Sequence, residues 1–324
     1  MDWLAHITKP EDLVTSYTET RSGFIAIALE KNRKATPFIE EARILQHRIK
    51  NANTPEELLE LPNIKKGLIA ASGISDKAAS HLGDDGCLAA IKEFIEKFLL
   101  PAGGKFKEEL VFRFLITKGD TLGGKMRNIV GALAQRKLCM AIISALRMSD
   151  MEFYVLLGAS NQWVSSKDID DDTEIENSKG ISWETAKNKH RTLYFNITVP
   201  VVKNNIDMIL LNRPKTDDIK TVIGSCENYI ALGELKGGID PAGADEHWKT
   251  AKTAIDRIKD AFKKNGYTPY LFFVGAAIEY KMATELFDNL RSKYINNAAN
   301  LTKPEHITAL SDWLIHIQPL AKLG

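Results

Sequence analysis

Asp207, Glu234 and Lys236 are the side chains from which a reaction is most directly built. Glu234 and Lys236 stand two residues apart at the end of the run Tyr229-Ile-Ala-Leu-Gly-Glu-Leu-Lys236. In a strand, side chains at i and i+2 share a face, so a carboxylate and an ammonium lie side by side. Asp207 opens a second apolar run, Ile206 to Leu211. If the two strands are neighbours, all three groups converge at one end of a sheet. Two carboxylates that close resist full ionisation unless a cation sits between them. Hard oxygen donors, with no cysteine and no paired histidine, favour Mg²⁺ over zinc. Such a metal would polarise a phosphoryl oxygen and lower the pKa of a bound water. Lys236 could orient that water or stabilise the charge developing on the phosphorus oxygens. This is the chemistry of phosphodiester hydrolysis. The structural alternative is a surface ion pair worth about 0–1 kcal/mol, and Glu279-Tyr-Lys281 shows that Glu-x-Lys alone is unspecific.

The elements around these residues set their positions. Gly237-Gly238 ends the strand and permits close backbone approach, and Asp240-Pro241 starts a turn. Asp245 is placed to cap a helix from about 246 to 264, which carries His247 in its first turn followed by Lys249, Lys252, Lys259, Lys263 and Lys264. Upstream, apolar periodicity predicts helices over 16–29, 38–50, 88–100, 106–116 and 126–148, with Ser75 capping a short helix that includes Lys77. The glycine-rich turn from Lys118 to Arg127, with Lys125 between them, reads either as a phosphate cradle before a helix N-terminus or as a plain helix connection. After Ser149 the pattern changes to strands over 152–157, 191–202, 206–211, 229–236 and 270–278. A polar, exposed loop is expected over 165–188 and a turn at Lys203-Asn204-Asn205. Helices over 283–290 and after Pro304 close the chain. The expected fold class is α/β (α+β): a mainly helical part, residues 1–104, and a core with a mixed sheet flanked by helices, residues 105–324.

Whole-chain properties narrow the function. The 324 residues are 44% hydrophobic and 26% charged, with a formal net charge of +1. A polyanionic partner would therefore have to be met by local basic patches. Cys87, Cys139 and Cys226 are odd in number and widely spaced, which points away from a disulfide framework or zinc site and towards a reducing cytoplasm. No uncharged apolar run reaches the ~20 residues of a membrane span, and the N-terminus lacks a signal-peptide pattern, so no membrane association is expected.

Asp207 followed by Glu234-Leu-Lys236 on the next strand resembles the PD-(D/E)XK nuclease core. The longer string from Gly233 through Asp240, Asp245 and His247 to Lys249 is more specific and resembles type II restriction endonucleases, most closely the AvaI/BsoBI family. Gly119-Asp-Thr-Leu-Gly-Gly and the helical first third extend the resemblance over most of the chain. Ile206 stands where the motif's name has proline. The resemblance implies a homodimer that grips double-stranded DNA and cuts both strands at a short symmetric site with Mg²⁺, functionally paired with a DNA methyltransferase of the same specificity. It implies Asp207 and Glu234 as metal ligands, Lys236 beside the attacking water and His247 as general base. It further implies Asp240 as a base-edge reader and Lys77 reaching guanine. Lys203, just before the Ile206 run, and Arg127, Asp245 and Lys249 are further candidate DNA contacts, the helix lysines otherwise forming a solvated face. His247 as a helix residue bonded to backbone, and Asp240 as a simple turn residue, are the structural alternatives. Competing readings of the whole chain are a structure-specific repair nuclease of the same superfamily and a non-catalytic DNA-binding regulator.

Overall fold

A computed structural model describes residues 3–169, 175 and 178–320. The chain forms two compact units: residues 26–127, and residues 1–25 together with 128–324.

The first of these is helical. It holds most of α1 (Tyr17–Arg48), α2 (Lys65–Ala71), α3 (Asp76–Phe94) and the first half of α4 (Phe106–Met148). Its core is aliphatic and aromatic, with Leu45, Ile49, Leu58, Leu68, Ile91, Phe94, Leu110 and Phe114 buried together. Ser75 caps α3 as its sequence position suggests, accepting from the Ala78 N–H at 3.2 Å. Two expectations fail here for one reason. Pro37 lies inside α1 instead of starting a new helix, and the glycine-rich segment from Lys118 to Arg127 lies inside α4 instead of forming a turn. A proline or a few glycines cost a long helix one hydrogen bond or some backbone entropy, and the flanking turns carry it through. The helix N-terminus required for a phosphate cradle at Lys125 is therefore absent. The sequence boundary at 104/105 falls in the short turn Gly103–Lys105 just before α4, whereas the two units divide at Ile25/Ala26 and Arg127/Asn128, within α1 and α4.

The other unit is built on one eight-stranded mixed sheet. Its strands are β1 (Phe153–Leu156), β2 (Trp163–Ser165), β3 (Gly180–Glu184), β4 (His190–Val199), β5 (Asn204–Leu211), β6 (Tyr229–Lys236), β7 (Tyr270–Gly275) and β8 (Asn297–Asn300), in the order β2-β1-β3-β4-β5-β6-β7-β8. Pairing is antiparallel from β2 through to β6 and parallel from β6 through β7 to β8. The parallel step needs a crossover, supplied by α6 (Ala244–Lys263), which follows a short α5 (Ile219–Val222) earlier in the chain. Trp248, Ala251, Ile255, Ile258 and Phe262 of α6 pack with Ile209, Leu232 and Phe273 of the sheet. The helices α7 (Tyr280–Arg291) and α8 (Pro304–His316) complete the unit. The apolar second half of α4, from Asn128 to Met148, has the length and composition of a membrane span. Its Leu138, Cys139, Ile142, Ile143 and Leu146 are buried in the protein, which accounts for that composition.

Strand β3 corrects the expected loop over 165–188: Ile181 and Trp183 are buried in its middle. Most of the acidic run 168–176 lies outside the described residues.

Candidate active site

Strand β6 spans Tyr229–Lys236, as its sequence demands, and is buried over its first six residues. Gly233 is required within it, because a Cβ there would lie 2.4 Å from Cζ of buried Phe272 on β7. At the strand's end Gly237 passes beneath α4, where a Cβ would meet the Ala134 Cβ at 2.6 Å and the Val130 carbonyl oxygen at 2.9 Å. Close backbone approach is the reason for the glycine.

β5 runs antiparallel beside β6, with Met208 opposite Gly233. This register places Asp207 beside the end of β6. Lys236 Nζ lies 2.8 Å from Glu234 Oε2 and 3.2 Å from Asp207 Oδ2, and the Leu235 N–H donates to the same Asp207 oxygen at 2.8 Å. The three groups expected to converge do converge. The pairs are not surface ion pairs. Glu234 is only 4% exposed, and the side chains of Lys236 and Asp207 are 20% and 26% exposed. Burial, and then the Asp207 charge, push the Glu234 carboxyl up to about 7 against the pull of Lys236. Burial opposes the Lys236 charge as well, but the two carboxylates more than offset it and hold the ammonium above the ordinary lysine range. Among the described residues no cluster of three or more His, Cys, Asp or Glu side chains surrounds a point. Two carboxylates with no third His, Cys, Asp or Glu side chain beside them among the described residues fit Mg²⁺, which keeps several waters and takes oxygens from a phosphate.

His247 is half-buried in the first turns of α6, and its ring lies over the loop that follows β6. A Cβ on Gly238 would come within 2.7 Å of His247 Nε2, and one on Gly243 within 3.4 Å. The two glycines thus hold open the space that the imidazole fills. The helix beneath His247 is anchored by Trp248, whose indole N–H donates to Glu285 Oε2 at 2.8 Å.

Asp240 is exposed, and its Oδ1 accepts the Ala242 N–H at 3.0 Å, capping the turn Pro241–Gly243. Asp245 is not the cap of α6; Gly243 occupies that position, and Asp245 sits in the first turn bonded to Lys249 at 2.5 Å. The helix starts two residues before its expected start because the Pro241–Gly243 turn runs straight into it. An acidic residue remains favourable there, next to the positive helix end. Lys203 is exposed in the tight β4–β5 turn with φ +59°. Lys77 is exposed on α3 of the helical unit. The Arg127 side chain lies outside the described residues.

Comparison with known proteins gives the family. A family model described as restriction endonuclease BsobI matches residues 3–317. The chain belongs to the BsobI restriction endonuclease family. It is 49% identical over 317 residues to the type II restriction enzyme AvaI of Nostoc sp., covering 98% of this chain and all of that protein. It is equally similar to AvaI of Anabaena variabilis. With the type II restriction enzyme BsoBI of Geobacillus stearothermophilus it shares 50% identity over 315 residues, 96% of this chain and 97% of that one. The protein is thus a type II restriction endonuclease, a site-specific deoxyribonuclease, on a mixed α/β fold.

Proposed function

We propose that this restriction endonuclease hydrolyses phosphodiester bonds of double-stranded DNA at a short symmetric site in a Mg²⁺-dependent reaction. The observation that carries the proposal is Lys236 held between Glu234 and Asp207 at 2.8 and 3.2 Å, in a chain of this family. Asp207 and Glu234 would hold Mg²⁺, which when bound acts as a Lewis acid on the phosphate and lowers the pKa of water. Lys236 lies where it can orient the attacking water and stabilise charge developing on the phosphate oxygens. His247, on the helix that follows, would take a proton from that water.

Around this centre Asp240 would read a base edge and Lys203, Asp245 and Lys249 would lie along the duplex. Lys77 and Arg127 would contribute contacts from residues 26–127. The helical part, residues 1–104, would embrace the DNA, and residues 105–324 would carry out the cut. A symmetric site calls for a homodimer, one active site per strand. The enzyme would work in the cytoplasm beside a methyltransferase of the same specificity, which protects host DNA.

Digestion of plasmid DNA tests the reading. Discrete bands are expected with Mg²⁺, and none with a chelator; Ca²⁺ should support binding with little cutting. Nicking only at structural junctions would replace the reading with a repair nuclease, and full activity in chelator would remove the metal. His247→Ala is expected to lose about 10²–10⁴-fold in single-turnover rate, the range for one proton-transfer group. Raising the pH should recover part of it as hydroxide becomes available. A near-normal rate with an altered melting temperature would instead make His247 a structural helix residue.

A further inference from the structure

Strand β4 contains a backbone anomaly directly across from Asp207. Asn196 has φ +55°. The other non-glycine residues with positive φ, namely Asn63, Asp150, Asn161, Asn188, Lys203 and Lys293, all lie in turns or loops; Asn196 is inside the ten-residue strand His190–Val199. The β4–β5 register passes from Phe195↔Met208 to Ile197↔Ile206 with no pair between Asn196 and Asp207. On the other side of β5 the pairing with β6 ends at Met208↔Gly233. Asp207 is therefore released from ladder pairing on both sides. In place of a backbone partner, the Leu235 N–H bonds to its carboxylate. The same carboxylate oxygen, Oδ2, also accepts from Lys236 Nζ at 3.2 Å.

The Asn196 conformation is held from outside the strand. Its Nδ2 donates to Gln135 Oε1 of α4 at 2.7 Å, and Gln135 Nε2 donates to the Ser178 carbonyl oxygen at 2.8 Å. Both atoms of the Gln135 amide are used, so the glutamine has one orientation. Asparagine tolerates the left-handed region better than other side chains, and a β-branched residue excludes it. Left-handed backbone inside a strand persists only where the surroundings impose it.

We propose that Asn196 is a positioning residue for Asp207. Its left-handed backbone, supported by Gln135, opens the β4–β5 ladder at that one position, so that the Asp207 carboxylate is aimed by Leu235 and Lys236 towards the metal and the scissile phosphate. The inference rests on the role proposed for Asp207 above.

The test is a graded series, Asn196→Gly, →Asp, →Ala and →Val, ordered by tolerance of positive φ. Asn196→Gly loses the Gln135 bond but adopts positive φ without strain and should cut within about threefold of wild type, whereas Asn196→Val should lose about 10²-fold or more in single-turnover rate, the effect of misplacing a reacting group by about 1 Å. Binding to the specific duplex in Ca²⁺ should survive in every member. Hydrogen exchange of the metal-free protein supplies a readout apart from activity: protection of the Leu235 amide should fall in the order of the series. If Asn196→Val does not fold, Asn196→Asp and →Ala carry the same ranking. A valine variant with wild-type rate and wild-type Leu235 protection overturns the proposal. So does a glycine variant as slow as valine, which would assign the effect to the side chain. If wild-type enzyme fails to cut with Mg²⁺, the role of Asp207 falls, while the exchange series still shows whether Asn196 sets the Asp207–Leu235 bond.

Discussion

Lys236→Ala is expected to lower the single-turnover cleavage rate by about 10²–10⁴-fold while binding to the specific duplex survives. The estimate combines the roughly 10²–10³-fold cost of removing one charge-stabilising donor with the cost of a misplaced water. The variant also exposes the electrostatics of the site. Lys236 is the only cation bonded to Glu234 among the described residues, and it opposes the burial and the Asp207 charge that push Glu234 up to about 7. Without it the Glu234 carboxyl rises further. The folded-state pKa then lies above the unfolded value of about 4.5. Stability from the protonated carboxyl is therefore fully present below that value and is lost as pH rises through the folded pKa. In chelator, the urea midpoint of wild type should fall between about pH 4.5 and 7 through this group, and that of Lys236→Ala should fall more steeply and over a wider range. Glu234→Gln should flatten the slope in both backgrounds. An active Lys236→Ala enzyme would mean that the strand pair has been misread. A pH-independent difference in midpoint would mean that Glu234 is not the group being neutralised.

How much of this centre could be read from sequence depended on how local each signal was. Strand β6 was legible to the residue because the apolar run from Tyr229 to Leu232 is bounded by Gly237-Gly238, and Glu234 and Lys236 share a face by the period of two. Their meeting with Asp207 needed β5 and β6 to be neighbours in one register, which no local pattern specifies. Strand β8, Asn297-Ala-Ala-Asn300, is fully buried yet contains no residue of high β propensity; its place comes from parallel pairing with β7. The breaks expected at Pro37 and at Gly119, Gly123 and Gly124 were local propensities overridden by two long helices. Asn196 was visible only as an asparagine inside an aromatic and β-branched run. A strand composition reads such a residue as a minor imperfection, whereas here it marks the point where the ladder opens beside a site carboxylate.

Asp240→Ala is expected to cost far more affinity for the specific site than for random DNA. Asp240 follows Lys236 by four residues, so its carboxylate stays close to the strand end where Glu234 would face the scissile phosphate. The bond from the Ala242 N–H to Oδ1 fixes the side chain, and Oδ2 has no partner among the described residues, so an oriented acceptor is presented without further loss of rotamer freedom. Cytosine N4 in the major groove is a donor such an oxygen can accept from, a correct contact being worth about 1–3 kcal/mol. The proposed dimer would repeat the contact in the second half-site, which would bring the expected loss to about 2–6 kcal/mol. Asp240→Asn separates reading from architecture, because asparagine can still cap Pro241–Gly243 while its amide competes for the acceptor position. It should retain the fold and lose discrimination, whereas Asp240→Ala also weakens the turn. Neither should change the slope of log K against log salt, since no phosphate contact is removed. Lys249→Ala should behave in the opposite way. Its ammonium is exposed and held by Asp245, an exposed pair that salt screens readily. Exchange of that partner for a phosphate would weaken binding to every sequence on mutation and reduce the slope by about one per contact. Titrations of the three variants on specific and random duplexes at several salt concentrations decide the matter: equal losses for Asp240→Ala on both duplexes would show that the residue shapes the loop and reads nothing.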